Sequence, residues 1–339
     1  MARILLTQAI HPRAHQRLAA LGTVVVAPEP SPAALRNSAA GCDVVVVRAQ
    51  LPDDIFDAAP SLIGAVRHGA GVDMIPVDAA TAHGVLVANV PGVNANAVAE
   101  HVLRSMLQLA RGSTAMAAEL AAARGQGWAR ARARADRGFE LRGRTIGVVG
   151  FGHVGKAVAH IGALGLGMQV LVHTRSPLPT GATARRVALD ELLAQSDFVV
   201  LACPLTDTTR GMIGAAQLER MRTDAFLINV ARGPVVVEAA LVEALRARRI
   251  AGAALDVFDT LPLPDAHPYW TMPQVIVTPH VAGLTDDSMI AMGNQAALAV
   301  EHLLRGEMPP HCINPQALPA FALRTHGTAP FDVRTQPPS

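Results

Sequence analysis

The sequence from Arg144 to Gly155, RTIGVVGFGHVG, carries the strongest structural signal in the chain. Its first part, residues 145–149, is a short apolar run rich in β-branched side chains, which predicts a buried strand. Three glycines follow with the spacing G-x-G-x-x-G, and residues 156–165 have helical periodicity. A strand, a glycine turn and a helix in this order predict a turn that holds the phosphates of a dinucleotide.

Each glycine has a separate role in such a turn. Gly150 permits the tight bend, Gly152 lets the backbone approach a pyrophosphate, and Gly155 lets the helix pack closely on the strand. The N-terminus of the helix presents free N–H groups and the positive end of its dipole to the phosphates. A tight turn without a ligand is the alternative, and the complete strand–turn–helix context favours the phosphate site.

Length and composition favour two domains of the α/β class. The chain has 339 residues, half of them apolar, which is long for a single core. The net charge is +2, and basic residues are spread out except between residues 124 and 144, so neither nucleic acid nor membrane is expected as a partner. Cys42, Cys203 and Cys312 lie far apart, which favours neither a disulfide framework nor a metal site.

The N-terminal residues begin like a strand and lack the long apolar segment of a signal peptide. No run approaches the roughly 20 apolar residues of a membrane span. We therefore expect a cytoplasmic protein.

Strand-like and helix-like segments alternate on both sides of the glycine turn. This alternation predicts two doubly wound parallel sheets with crossover helices, the second with six strands. Long helices are expected over residues 97–123 and 286–305, with an irregular surface segment over residues 126–144 between the first helix and the glycine turn. Residues 319–339, with scattered Pro and Thr, predict a mobile tail.

Four further stretches resemble the D-isomer-specific 2-hydroxyacid dehydrogenase family in their order and spacing, over residues 1 to about 318. They are PGVNANAVAEH at residues 91–101, INVARGPVV at 228–236, AALDVF at 253–258 and TPHVAG at 278–283. The resemblance implies a Rossmann cofactor domain, residues 99–285, inserted into a flavodoxin-like substrate domain formed by residues 1–98 and 286–318. It also implies an active site in the cleft between the domains and a homodimer.

The resemblance further assigns roles to individual residues. Arg232 would pair with the carboxylate of a 2-keto acid, and His280 would transfer the proton that accompanies hydride transfer. The glycine loop at Ala70 and Gly71 would cradle the substrate carboxylate, and Asn94 would line the same site. The expected cofactor-binding residues, among which Asp256 holds the nicotinamide carboxamide, are Gly150, Gly152, His153, Val154, Gly155, Thr174, Arg175, Pro204, Thr209, Ala231, Asp256, His280 and Gly283.

The chain departs from the family pattern at Leu261, where a glutamate that pairs with the catalytic histidine is expected. Three explanations are open: Asp259 or Asp265 replaces the missing carboxylate, His280 works unpaired as in the formate dehydrogenases of this superfamily, or turnover is weak. We favour the first two, because the other catalytic positions are kept. A carboxylate beside the imidazole would raise its pKa, so the pH dependence of reduction distinguishes a paired from an unpaired histidine.

A second departure lies at the ribose end of the cofactor site. NAD enzymes of this fold usually carry Asp or Glu after the second strand, whereas this chain has Thr174 and Arg175 there. Arg175 can pair with a 2′-phosphate, so the sequence predicts a preference for NADP(H) over NAD(H). Equal use of NADH, with a solvated Arg175, is the alternative.

Together these features predict an oxidoreductase that interconverts a small 2-keto acid and its (R)-2-hydroxy acid with NAD(P)H. Glyoxylate, hydroxypyruvate or a related short keto acid are the expected substrates. The alternative is a dinucleotide-binding sensor or corepressor without turnover, which only Leu261 favours.

Overall fold

Two parallel β-sheets organise the chain, and each belongs to its own unit. The computed structural model describes residues 1–326. The five-stranded unit contains Met1–Asn94 and the chain from Thr285 onward, and the seven-stranded unit contains Ala95–Leu284. The part of the predicted mobile tail that covers residues 327–339 lies outside the described residues.

The secondary structure alternates along the chain as the sequence predicts. The strands are β1 Arg3–Leu6, β2 Thr23–Val26, β3 Val44–Val47, β4 Gly64–Arg67, β5 Leu86–Ala88, β6 Thr145–Val149, β7 Gln169–His173, β8 Arg185–Arg186, β9 Phe198–Leu201, β10 Phe226–Asn229, β11 Gly252–Leu255 and β12 Val275–Val277. The α-helices are α1 Pro12–Ala19, α2 Pro32–Ala39, α3 Ile55–Ala58, α4 Val77–Ala82, α5 Ala95–Arg111, α6 Ser113–Ala123, α7 Trp128–Ala135, α8 His153–His160, α9 Leu189–Gln195, α10 Ala215–Arg220, α11 Glu238–Arg246, α12 Asp286–Leu304 and α13 Leu318–His326.

The five-stranded sheet has the order β2-β1-β3-β4-β5, and all its strand pairs are parallel. Helices α1, α12 and α13 share a core with Val44 and Val46, whereas α2, α3 and α4 share another with Val45 and Val47. Alternate residues of a strand face opposite sides of the sheet, so helices cover both faces. This order and layering confirm the predicted flavodoxin-like fold.

The seven-stranded sheet has the order β12-β11-β10-β9-β6-β7-β8, again with parallel pairs only. The order reverses between β6 and β9, which is the position where Rossmann sheets bind dinucleotides at the carboxyl ends of their strands. The predicted Rossmann fold is therefore confirmed. The sheet has seven strands rather than the six predicted, because Arg185 and Arg186 pair with β7 as an exposed edge strand without any apolar alternation.

The helix predicted over residues 97–123 is two helices, α5 and α6. The break lies at Gly112, whose φ of +60° is left-handed. The segment predicted to be irregular contains α7, whose Arg130 and Arg134 both pair with Glu119 of α6. These ion pairs join two helices that are separated by only a short turn. An analysis of apolar periodicity does not detect such a helix, because charged side chains hold it.

The structure also differs from the expectation of a mobile tail from residue 319 onward. Residues 318–326 form α13, in which Phe321 is fully buried in the core of the five-stranded unit. Arg324 adds a hydrogen bond of 2.8 Å to the carbonyl of His83. One large aromatic side chain thus anchors a segment whose remaining composition is typical of a tail.

No helix within residues 1–326 combines the length and apolarity that crossing a bilayer requires.

Candidate active site

The three glycines of the turn after β6 differ in whether the surrounding protein leaves room for a side chain. A Cβ on Gly150, whose φ is +96°, would lie 2.7 Å from the Ala202 carbonyl oxygen, and one on Gly155 would lie 2.1 Å from the Gly150 carbonyl oxygen. The protein's own packing therefore requires both glycines. Gly152 instead has a φ of −75° and no heavy atom within 4 Å of its hypothetical Cβ.

The open space at Gly152 fits an approaching pyrophosphate. Helix α8 begins at the next residue, His153, and no side chain caps its N-terminus. The N–H groups of the first turn of a helix lack intrahelical acceptors and attract anions. This end of α8 can therefore hold the phosphates of a dinucleotide with the N–H groups of His153 and Val154.

The remaining predicted cofactor residues follow the carboxyl ends of strands in the same sheet, so the topology brings them to one edge. Thr174 and Arg175 follow β7, Pro204 and Thr209 follow β9, Ala231 follows β10, Asp256 follows β11, and His280 and Gly283 follow β12. Thr209 also organises its own loop, because its hydroxyl donates to the Pro204 carbonyl at 2.7 Å.

Arg232 stands at the start of a turn that is fixed from two sides. The buried Asn229 accepts a hydrogen bond from the Ala231 N–H and donates one to the Arg232 carbonyl, both at 3.0 Å. A Cβ on Gly233 would lie 2.1 Å from the carbonyl carbon of Phe258, so only glycine allows this contact. The sequence analysis did not identify Asn229 as the residue that holds Arg232 in place.

His280 adopts a left-handed backbone conformation, with a φ of +57°, which costs about 1–2 kcal/mol for a residue with a side chain. The buried Asp256 stabilises it. Its carboxylate accepts hydrogen bonds from the Thr278 hydroxyl at 2.6 Å and from the N–H groups of Val281 and Ala282 at 2.9 Å. The backbone carbonyl of Asp256 also accepts a hydrogen bond from the N–H of His280 at 2.9 Å.

These bonds give Asp256 a structural role that the sequence did not reveal. A carboxylate has about four lone-pair directions, and the turn occupies two on one oxygen and one on the other. One direction is left for the nicotinamide carboxamide that the resemblance assigns to Asp256.

His101 of α5 also supports this turn. Its Nε2 lies 3.4 Å from the Thr278 hydroxyl. Burial lowers the pKa of His101, and Asp256 opposes that shift. The imidazole is therefore held mainly in its neutral form.

The structure places Leu261 at the surface, with 55% of its area exposed. Asp259, one of the two proposed replacements for the missing glutamate, lies near Glu238, which itself pairs with His267 at 3.2 Å. Desolvation and Glu238 both raise the pKa of Asp259, and Arg210 opposes them. Pairing of Asp259 or Asp265 with His280 stays a prediction.

In the five-stranded unit, the loop after β4 is shaped by Arg67. Its guanidinium donates to the carbonyls of Val47, His68 and Gly71 at 2.8 to 3.0 Å. Within residues 1–326, the N–H groups of Ala70 and Gly71 donate to no protein acceptor. The loop can therefore present both groups to a small anion, as the glycine pattern predicts.

His68 of the same loop is buried, and its Nε2 has no hydrogen-bond partner in the described chain. Burial and the nearby Arg48 and Arg67 lower the pKa of His68 to about 4. It is therefore neutral near pH 7. Asn94, the last residue of this part of the unit, is half-buried immediately before α5.

The fold and the glycine turn together define a protein of the dinucleotide-binding α/β class, with a Rossmann sheet and a second, flavodoxin-like sheet. The model of the D-isomer-specific 2-hydroxyacid dehydrogenase family, NAD-binding domain, matches residues 103–282. The chain belongs to this family, which confirms the resemblance seen in the sequence.

Characterised relatives extend the similarity to most of the chain. The glyoxylate/hydroxypyruvate reductase B of Serratia proteamaculans (strain 568) is 37% identical over 273 residues, which cover 79% of this chain and 83% of the relative. The glyoxylate reductase of Pyrococcus furiosus is 35% identical over 282 residues, covering 81% and 82%.

A solved structure shows the same architecture. The NADPH-dependent glyoxylate/hydroxypyruvate reductase of Sinorhizobium meliloti, in complex with NADP and malonate, matches with a TM-score of 0.81 and 29% identity. The match covers 93% of this chain and 98% of that one.

Proposed function

We propose that this protein reduces small 2-keto acids to (R)-2-hydroxy acids with NAD(P)H. The observation that carries the proposal is the arrangement of Arg232, Asp256 and His280 after three adjacent strands, β10, β11 and β12. Asn229 fixes the turn of Arg232, and hydrogen bonds between Asp256 and residues 278–282 fix the other two, as a site that acts on one small substrate requires.

The residues divide the chemistry between them. The nicotinamide, when bound, supplies the hydride for C2 of the keto acid. The Arg232 guanidinium can bind the substrate carboxylate through two parallel N–H bonds, and the Ala70 and Gly71 N–H groups and Asn94 are proposed to complete substrate binding. The His280 imidazolium donates its proton to the carbonyl oxygen, which becomes the hydroxyl, and His280 accepts a proton in the reverse direction.

The relatives favour short substrates. The Serratia protein is named for glyoxylate and hydroxypyruvate and the Pyrococcus protein for glyoxylate, so these two acids are the first candidates here. The sensor alternative gains no support, because Leu261 remains the single feature in its favour.

NADP(H) is the proposed preferred cofactor. The turn after β7 offers Thr174 and Arg175 and no carboxylate to bind a ribose 2′-hydroxyl. The similar Sinorhizobium enzyme is described as NADPH-dependent and binds NADP, which agrees with this proposal.

The proposal includes a homodimer. Helix α6 has 11 residues and none of them is buried, and Trp128 at the start of α7 is 67% exposed. An apolar helix that has no fully buried residue against the rest of residues 1–326 is suited to covering by a second copy. A cytoplasmic location is also proposed, in agreement with the free thiols at Cys42, Cys203 and Cys312.

A panel of 2-keto acids tested with NADPH and with NADH examines the whole proposal. Turnover of glyoxylate or hydroxypyruvate, faster with NADPH, is the expected result. Cofactor binding without turnover of any keto acid would instead favour the sensor.

A further inference from the structure

Arg186 lies on the edge strand β8, which the sequence analysis did not predict. Its Nε donates to the Thr174 carbonyl at 2.9 Å, and its Nη2 donates to the Arg175 carbonyl at 3.0 Å. One guanidinium edge thus spans two successive carbonyls at the end of β7. Because a guanidinium is planar and rigid, this contact fixes the backbone that carries Arg175.

Among residues 1–326, the other edge of the Arg186 guanidinium makes no hydrogen bond. A guanidinium has five N–H donors in a fixed fork, and the contacts to Thr174 and Arg175 use one hydrogen of Nε and one of Nη2. The two hydrogens of Nη1 and the second of Nη2 form a second fork. Such a fork matches the spacing of phosphate oxygens.

The charges at this turn are unbalanced. Within residues 1–326, neither Arg175 nor Arg186 forms an ion pair with a carboxylate. Arg185, the neighbour of Arg186 on β8, behaves differently, because its Nη1 pairs with Glu191 at 2.7 Å and its Nη2 contacts Gln195. Arg175 therefore follows β7, and Arg186 binds the backbone there, without a carboxylate partner for either among residues 1–326. The ribose of a dinucleotide lies at this end of the strand in this fold.

We propose that Arg186 is a second determinant of NADP(H) specificity, which holds the Arg175 backbone with one guanidinium edge and binds the 2′-phosphate with the other. This inference rests on the proposed NADP(H) preference and adds a residue to it. A 2′-phosphate carries about −1.5 to −2 charges near pH 7, which matches the two unpaired guanidinium groups.

The test compares Arg186→Met with the matched control Arg185→Met, which changes the neighbouring arginine of the same strand. Calorimetric titration measures the affinity of each protein for 2′,5′-ADP and for 5′-AMP, which differ only in the 2′-phosphate. Neither ligand requires turnover. Thermal unfolding of both variants shows whether either substitution has damaged the fold.

In the wild type we expect 2′,5′-ADP to bind more tightly than 5′-AMP. Arg186→Met should reduce this affinity ratio about 10-fold or more, because a charge-assisted fork is lost, whereas Arg185→Met should keep the ratio of the wild type. An equal weakening of both ligands, or no change in their ratio, would overturn the role of Arg186 and leave the NADP(H) preference standing. A wild type that binds both ligands equally would overturn the NADP(H) preference itself and Arg186 with it.

Discussion

Two turns of the seven-stranded unit both require a residue with positive φ, and they stabilise it in different ways. The proposed cofactor turn, residues 150–155, and the proposed catalytic turn, residues 278–283, each follow a strand of the same sheet and each contain a residue with positive φ. They are called the cofactor turn and the catalytic turn below. In the cofactor turn that residue is Gly150, and the shape depends on missing side chains. In the catalytic turn it is His280, and the shape depends on the carboxylate of Asp256.

The comparison shows two ways to allow a positive φ. The cofactor turn uses glycine, whereas the catalytic turn keeps a side chain at that position and is supported by a residue of another strand. The residues that Asp256 bonds lie 22 to 26 positions further along the chain. The following predictions test that difference, from the largest expected effect to the smallest.

Asp256→Ala should have the largest effect, because three donors, one of them buried, lose their acceptor and His280 loses the support for its left-handed conformation. Misplacing a catalytic group by about 1 Å can cost about 100-fold in rate. We expect kcat for glyoxylate reduction to fall at least about 100-fold. Asp190→Asn, a change of an exposed carboxylate in the same unit, is the control and should retain full activity.

Gly155→Ala should destabilise the seven-stranded unit by about 2–4 kcal/mol, because its Cβ would meet the Gly150 carbonyl oxygen at 2.1 Å. Denaturant unfolding followed by circular dichroism measures this loss. A variant as stable as the wild type would show that the glycine is not required by packing.

Gly152→Ala should leave the stability within about 0.5 kcal/mol of the wild type, since its Cβ has open space and an ordinary φ. The methyl group would stand where a pyrophosphate approaches, so the Kd for NADPH should rise about 10-fold. Fluorescence titration with NADPH measures the Kd. An unchanged Kd would contradict the proposed use of this space.

The smallest expected effect is a change of stability with pH that depends on His101. Burial lowers the pKa of His101 below its usual 6.5, so the unfolded chain binds more protons than the folded chain in that range. The contribution of neutral His101 to the free energy of unfolding is fully present above about pH 6.5. It is lost as the pH falls from there through the lower pKa of the folded state. Because His101 contacts Thr278, the catalytic turn should share this response.

Thermal unfolding of the wild type and of His101→Gln between about pH 5 and pH 7.5 tests the assignment. The variant should lose less Tm on acidification than the wild type. Equal losses would show that His101 does not titrate as burial predicts.

Much of the fold could be predicted from the sequence because its signals are local. The strand, glycine turn and helix at residues 145–165 occupy one continuous stretch. The edge strand β8 was missed because it consists of two arginines, and α13 was missed because only Phe321 marks it as a packed helix. The break at Gly112 was missed because apolar residues continue on both sides of it.

The candidate site could be predicted only in part. Motif resemblance, which depends on residue type and order, predicts roles for Arg232, His280 and Asp256, and the structure places them after three adjacent strands. The residues that position them were missed for two reasons. Asn229 lies two and three positions before its partners, but its residue type alone did not reveal these bonds. His101 contacts Thr278 from a separate segment, and such a hydrogen bond leaves no pattern in a single sequence. Arg186 was missed for the same reason.

The transfer of a hydride to a 2-keto acid is the central claim, and an isotope experiment tests it directly. Glyoxylate is incubated with the protein and NADPH that carries deuterium at both C4 positions of the nicotinamide, and the product is analysed by mass spectrometry. We predict glycolate with one deuterium at C2, and none when His280 is replaced by Gln. Unlabelled glycolate, or no glycolate from glyoxylate although NADPH binds, would contradict the proposed reaction.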